Sequence, residues 1–177
     1  MNEISLEKIK VLAREVKGEI TKIYLHWTAG PYDAPFSDYH LNIDNEGIVY
    51  KTCRALTDKK EHTWHRNTGA VGLALCCCED AAANAGYDAD FGAYPPTSEQ
   101  IELLSQLVAV LCSELGLDIN KDNVMTHEEI AIIDGYGPYS GDPETRWDLW
   151  YLPDSDGRMK PGGDVIRGKA IWYLENK

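Results

Sequence analysis

The chain has no excess of basic residues, no long apolar run and no paired-cysteine motif, and each absence removes a class of function. Seventeen lysines and arginines stand against twenty-nine aspartates and glutamates, a net charge of −12. A surface of that sign neither tracks phosphates nor adheres to anionic lipid, so neither nucleic acid nor membrane is an expected partner. No segment approaches the ~18 uninterrupted apolar residues of a membrane span. The N-terminal MNEISLEKIKVLAREVKGE mixes charge into its apolar spacing and lacks the apolar core of a secretory signal. A product made in the cytoplasm is expected, one that acts outside only if something else releases it. Cys53, Cys76, Cys77, Cys78 and Cys112 are odd in number and contain no CxxC pair, which suits a reduced chain better than a disulfide framework. The triplet Cys76-Cys77-Cys78 invites a metal reading. It continues the run AVGLAL, however, and neighbours in a strand face opposite ways, so three consecutive thiolates do not converge on one ion. Buried small hydrophobes are the expectation.

What is present fits one domain spanning residues 1–177, long enough for a well-buried core and too short for two. The apolar spacing predicts a helix over 5–17, then a strand over 19–26. DYHLNIDNEGIVYKT alternates around Asp44-Asn45-Glu46-Gly47, a hairpin signal. AVGLALCC reads as a strand covered on both faces. The segment 79–96 is small and acidic, a surface excursion. Thr97-Ser98-Glu99-Gln100 has capping-box spacing and opens a helix whose Ile101, Leu104, Val108, Leu111 and Leu115 share a face, ended by Gly116. DNVMTH is a further short strand, a long Gly/Pro/Asp loop covers 132–159, and a helix over 165–176 closes the chain.

Two of these strands end on a histidine, His26 in YLHWTAG and His127 in VMTHEE. Strand ends in α/β sheets are where ligand sites gather. A catalytic zinc needs three protein ligands and one open position, commonly two histidines and a carboxylate or thiolate. The loop after His127 offers Asp134, Asp142 and Asp148, and TRWDL sets Asp148 among bulky neighbours.

IYLHWTAG, SDYHLNIDNEGIVYKT, EHTWHRNTGAVGLAL, VMTHEE and RWDL, in that order, resemble the zinc-dependent N-acetylmuramoyl-L-alanine amidases, the family that includes peptidoglycan recognition proteins and the amidase-type lysozymes of phages. The resemblance covers roughly residues 20–149. It implies an α/β fold with a central mixed sheet flanked by helices, and cleavage of the amide between the lactyl group of muramic acid and the first L-alanine of the stem peptide. It makes His26, His127 and Asp148 the zinc ligands and puts Tyr39 beside the metal. His62, with Thr63 and Asn67, takes a substrate-contacting position. Arg146 stands where the family usually has lysine, and Leu149-Trp150 replaces the common Pro-Gly, which leaves Asp142, followed by Pro143, as a competing third ligand.

Amide hydrolysis needs a nucleophile at neutral pH and stabilisation of an oxyanion, and zinc supplies both. Tyr39 is placed to hydrogen-bond the water or the tetrahedral oxygen. Arg146 stabilises negative charge but cannot shuttle a proton, so the leaving amine needs Glu128, Glu129 or His62. Simpler readings stand beside these: Tyr39 as a half-buried strand aromatic, His40 as structural, His65 as a loop residue and Glu128-Glu129 as a solvated turn. Trp27, Trp64, Trp147 and Trp150 either fill the core or flank the site for sugar or peptide stacking. The expected protein is an amidase acting on peptidoglycan, a phage or prophage endolysin or an autolysin. The alternatives are a cytoplasmic muropeptide-recycling amidase and a non-catalytic binding module. No cell-wall-binding repeat is visible.

Overall fold

The run KIYLHW forms a central strand because every residue after its first is buried on both faces, and the sheet is assembled around it. In a computed structural model describing residues 2–83 and 89–176, the chain opens with β1 (Asn2–Glu3), α1 (Leu6–Glu15), the central β2 (Lys22–Trp27), β3 (Leu41–Ile43), β4 (Val49–Lys51) and β5 (Ala70–Leu75). It continues through β6 (Ala82–Ala83), β7 (Ala89–Asp90), α2 (Ser98–Leu115), β8 (Val124–Thr126), α3 (His127–Asp134), β9 (Tyr151–Pro153), β10 (Met159–Pro161) and α4 (Gly162–Glu175).

The main sheet runs β1-β4-β3-β5-β2-β8. The pairs β3–β5, β5–β2 and β2–β8 are parallel, whereas β4 returns antiparallel to β3 through the Asp44–Gly47 turn, and β1 adds an antiparallel edge. Asp44 closes that turn by accepting the N–H groups of Glu46 and Ile48. The strand β5 is buried along its whole length, as its unbroken apolar run requires of a strand between parallel neighbours.

Helix α2 packs between α1 and α4 and against β3 and β5. Its capping box is complete: Thr97 Oγ1 accepts the Gln100 N–H, and Gln100 Oε1 accepts that of Thr97. Gln100 is fully buried, and its amide nitrogen donates to the carbonyls of Ile43 and Cys76, tying the helix start to the sheet. Ile101, Leu104, Val108, Leu111 and Leu115 all face the core, and Gly116 ends the helix at φ 76°. Among the described residues no helix is long and apolar enough to cross a membrane.

Several details differ from the sequence expectation. Cys76, Cys77 and Cys78 lie just beyond β5, where the chain bends through a left-handed Cys78 at φ 71°. All five cysteines are buried and free, and the sulfurs of Cys77 and Cys78 lie 3.4 Å apart. Glu128 and Glu129 are not in a solvated turn but in the first turn of α3, which begins at His127 directly after β8. The loop over 132–159 contains the end of α3 and the first strand of the β9–β10 hairpin, whose turn is closed by Asp154 accepting the N–H groups of Asp156 and Arg158. The closing helix starts at Gly162, three residues early. The excursion over 79–96 carries the small β6–β7 pair, and its residues 84–88 lie outside the described residues.

Candidate active site

The register of β2 and β8 brings the two histidines together. Leu25 pairs with Thr126, so His26 and His127 follow at the carboxyl ends of adjacent parallel strands, the position where α/β sheets bind ligands. His127 is the first residue of α3. Thr126 caps that helix, its hydroxyl accepting the Glu129 N–H at 3.2 Å while Glu129 accepts the Thr126 N–H at 3.0 Å. Glu129 also holds the buried Arg167 at 2.7 and 2.8 Å, and Arg167 donates to the Val124 carbonyl at 2.9 Å. Glu129 is therefore committed to fixing the β8–α3 junction, which argues against a role in proton transfer.

Asp148 completes the cluster. His26 Nδ1 and His127 Nδ1 are 3.1 Å apart, and each is 3.4 Å from Asp148 Oδ2. Among the described residues these three form the one group of histidine, cysteine, aspartate or glutamate side chains close enough together to hold a metal ion. All three are buried. Burial pushes the His26 imidazole down to about 4, so at neutral pH the ring carries a free lone pair. Burial disfavours the Asp148 carboxylate, but the two histidines outweigh it and hold its pKa below the usual carboxylate range. The competing Asp142 is exposed and accepts the Glu144 N–H at 2.8 Å within its own turn. It lines the cavity but does not join the histidines.

Of the three cluster residues, His127 lines a cavity of about 650 Å³, together with His62, Thr63, Trp64, Asn67 and Arg146, with Lys59, Glu61, Asp142 and Glu144 among the charged groups around it. Trp64 is 66% exposed on this wall. Trp27 is buried edge-on against Trp147 and Phe91, so the expected substrate contact is instead a core residue. Trp150 stacks on Tyr151.

Tyr39 lies with its ring centroid 5.0 Å from that of His26, its hydroxyl donating to the Trp27 carbonyl at 3.2 Å. Burial raises its pKa far enough to keep it protonated. The Arg146 guanidinium is folded onto the carbonyl and carboxylate of Glu144 at the rim. His62 is buried and its Nδ1 meets Thr63 Oγ1 at 3.0 Å. Its ring lies against β5 so closely that a Cβ on Gly72 would come within 2.7 Å of it. Asn67 accepts the Thr63 N–H at 2.8 Å. His40 is structural: its Nδ1 accepts the Gly72 N–H and its Nε2 donates to the Asp58 carbonyl. Glu128 is buried, and desolvation followed by repulsion from Glu129 raises its pKa to about 7. Its carboxylate neighbours are Thr126, Glu129, Lys121 and Arg167, which sets it towards α4 and leaves the catalytic role expected of it without geometric support.

One site residue was not singled out from the sequence. Tyr136 Oη lies 3.3 Å from His127 Nε2. Gly135 at φ 84° ends α3, and Tyr136 N–H returns to the Ala131 carbonyl, so the ring folds back onto the start of its own helix. The signal for it in the sequence is the helix-ending Gly135, which falls within the Gly/Pro/Asp segment over 132–159.

The profile of the N-acetylmuramoyl-L-alanine amidase family (amidase type 2) matches residues 16–144, a span that includes both histidines and stops short of Asp148. No curated protein sequence matches the chain. Among solved structures, the chain is similar to the Ph2119 endolysin from Thermus scotoductus MAT2119 bacteriophage Ph2119, at 20% identity over 62% of this chain and 72% of that one, with a TM-score of 0.45. It is also similar to the endolysin N-acetylmuramoyl-L-alanine amidase LysCS from Clostridium intestinale URNW, at 17% identity over 63% and 71%, with a TM-score of 0.45. With the family profile matching most of its length, the chain belongs to the N-acetylmuramoyl-L-alanine amidase family.

Proposed function

We propose that this chain is a zinc-dependent amidase acting on peptidoglycan or on muropeptides cut from it, with His26, His127 and Asp148 as the metal-holding residues. The observation that carries the reading is the donor triangle, with edges of 3.1, 3.4 and 3.4 Å. A tetrahedron around an ion with bonds of ~2.0–2.1 Å has edges of ~3.3–3.4 Å. Three protein donors leave one vertex for water or substrate, the composition of a catalytic zinc site rather than a structural one. When bound, zinc supplies a nucleophile at neutral pH and polarises the scissile carbonyl.

The protein's own groups do the rest. Tyr39, protonated and beside His26, turns its hydroxyl from the Trp27 carbonyl to the oxygen on which negative charge develops. Arg146, permanently cationic at the rim, stabilises that charge or a stem-peptide carboxylate without moving a proton. Trp64 offers an exposed face to a sugar ring or peptide. His62 and Asn67 hold the wall around Thr63 in shape. Residues 1–177 act in this reading as one catalytic unit, in cell-wall lysis as an endolysin or autolysin.

The test is digestion of purified peptidoglycan by chelator-stripped protein before and after zinc is restored. New L-alanine amino termini with intact glycan strands are expected after restoration only. New reducing sugars, or no product under any metal condition, would overturn the reading.

A further inference from the structure

The two histidines have opposite requirements at their two nitrogens. Both Nδ1 atoms face the shared position with Asp148, so for both to be lone-pair donors there, each neutral ring must carry its proton on Nε2. Each Nε2 has a hydroxyl oxygen beside it, Thr63 Oγ1 at 3.4 Å from His26 and Tyr136 Oη at 3.3 Å from His127. Thr63 can accept because its own proton has somewhere else to go: His62 Nδ1 lies 3.0 Å away. The order is then His26 Nε2–H to Thr63 Oγ1, and Thr63 O–H to His62 Nδ1.

We infer that Thr63 and Tyr136 are positioning residues for the metal site, each accepting an Nε2–H so that both Nδ1 lone pairs are presented to the ion. The inference rests on the metal reading above and moves Thr63 from substrate contact to ligand support. Both partners are neutral. A carboxylate in either place would strengthen the ring as a donor and add negative charge, whereas hydroxyls leave Asp148 as the one anionic donor. The donor set then carries a single negative charge, and a divalent ion held by it keeps a net positive charge for polarising a carbonyl.

The anchors are held on two different elements. Thr63 sits in the loop clamped by Asn67 Oδ1, and Tyr136 is fixed by the backbone at the end of α3 and packs edge-on to Trp64, with centroids 6.3 Å apart. Each ligand is thus oriented from a segment that also lines the cavity.

The experiment measures zinc affinity by competition with a chromophoric chelator in wild type, Thr63→Val, Thr63→Ser and Tyr136→Phe, together with histidine ¹⁵N–¹H correlation spectra of the zinc-loaded wild type. Thr63→Val and Tyr136→Phe keep shape and lose the hydroxyl, and each is expected to weaken zinc binding by ~10–100-fold. Thr63→Ser keeps the hydroxyl and is expected to stay close to wild type, which a merely packing role for threonine would not produce. The spectra are expected to show His26 and His127 protonated on Nε2. Wild-type affinity in both Thr63→Val and Tyr136→Phe would overturn the inference while leaving the metal reading intact, whereas a proton on either Nδ1 in the loaded protein would overturn both. A wild type that binds no zinc would overturn both. Thr63→Val and Tyr136→Phe report on different rings, so either decides for its own histidine if the other variant fails to fold.

Discussion

Replacing Asp148 by asparagine removes one negative charge and almost no volume, which makes it the most direct test of the donor triangle. One oxygen of Asp148 lies 3.4 Å from both histidine nitrogens, and the residue is only 8% exposed, so bulk water does little to replace what the carboxylate supplies. Zinc sites with four protein ligands bind with ~10–16 kcal/mol, or ~2.5–4 kcal/mol per ligand. An asparagine oxygen retains part of that, so a loss of about 2–3 kcal/mol is expected, roughly 30- to 150-fold in affinity at ~1.4 kcal/mol per tenfold. Asp142→Asn is the matched control. Its carboxylate is exposed and engaged with the Glu144 N–H, and a change there is worth under ~0.5 kcal/mol. Both variants are titrated with zinc against a chelator and assayed for release of stem peptides. An Asp148→Asn protein that stays zinc-replete and active, or loss of zinc in Asp142→Asn instead, would refute the reasoning.

Tyr39→Phe and Arg146→Ala should each retain zinc while lowering turnover about 10- to 10²-fold, because they act on charge that develops during reaction; zinc stoichiometry and kcat measured together check this. Arg167→Met should cost about 3 kcal/mol in urea unfolding by leaving the Glu129 carboxylate and the Val124 carbonyl without their buried partner. Gly162→Ala should weaken zinc binding although it replaces no donor. Its Cβ would lie 2.0 Å from the carbonyl oxygen of Leu149, the residue after Asp148, so the backbone must shift at a cost of about 1–3 kcal/mol. Asp154, held by Lys160 and the β9–β10 turn, has its pKa lowered from 3.8 to about 2. A carboxylate depressed on folding stabilises above its unfolded pKa and loses that contribution as pH falls through the folded one. The difference in Tm between wild type and Asp154→Asn should therefore narrow as pH drops from about 4 towards about 2 and be constant above it.

The elements legible in the sequence are those whose signals are local. Ser5 and Thr97 are caps, Gly116 is a left-handed stop, and the alternation around Asp44–Gly47 closes on itself within a few residues, so α1, α2 and the β3–β4 hairpin were readable. Helix α3 was not. Its capping box, Thr126 to Glu129, overlaps the end of β8 with no residue between, so the strand reading consumed the start signal. The start of α4 was hidden for another reason. Gly162 and Gly163 look like loop residues, yet glycine is required at 162 because the Leu149 carbonyl oxygen occupies the position where a Cβ would be, a constraint set by a residue distant in sequence.

The site divides along the same line. His26 and His127 are legible because each closes an apolar run in the sequence, and the parallel register of β2 and β8 puts the two positions side by side. Asp148 is different: no regular element carries it, and its position depends on contacts that sequence spacing does not encode. The Glu128 N–H reaches the Asp148 carbonyl at 3.4 Å, and the Arg146 N–H reaches the Tyr136 carbonyl at 3.2 Å. Leu149 is fully buried at φ 60°, a conformation that costs a non-glycine residue roughly 1–3 kcal/mol and persists only where its surroundings impose it. The strain sits one residue beyond the carboxylate, where turning the chain sends the Leu149 side chain into the core and leaves Asp148 facing the histidines. A Pro-Gly pair would put proline at 149, where a ring-fixed φ near −65° cannot take this left-handed turn. This chain places leucine there and thereby ties the third donor to the hydrophobic core, so the departure from the family pattern at Leu149-Trp150 replaces one way of holding Asp148 with another.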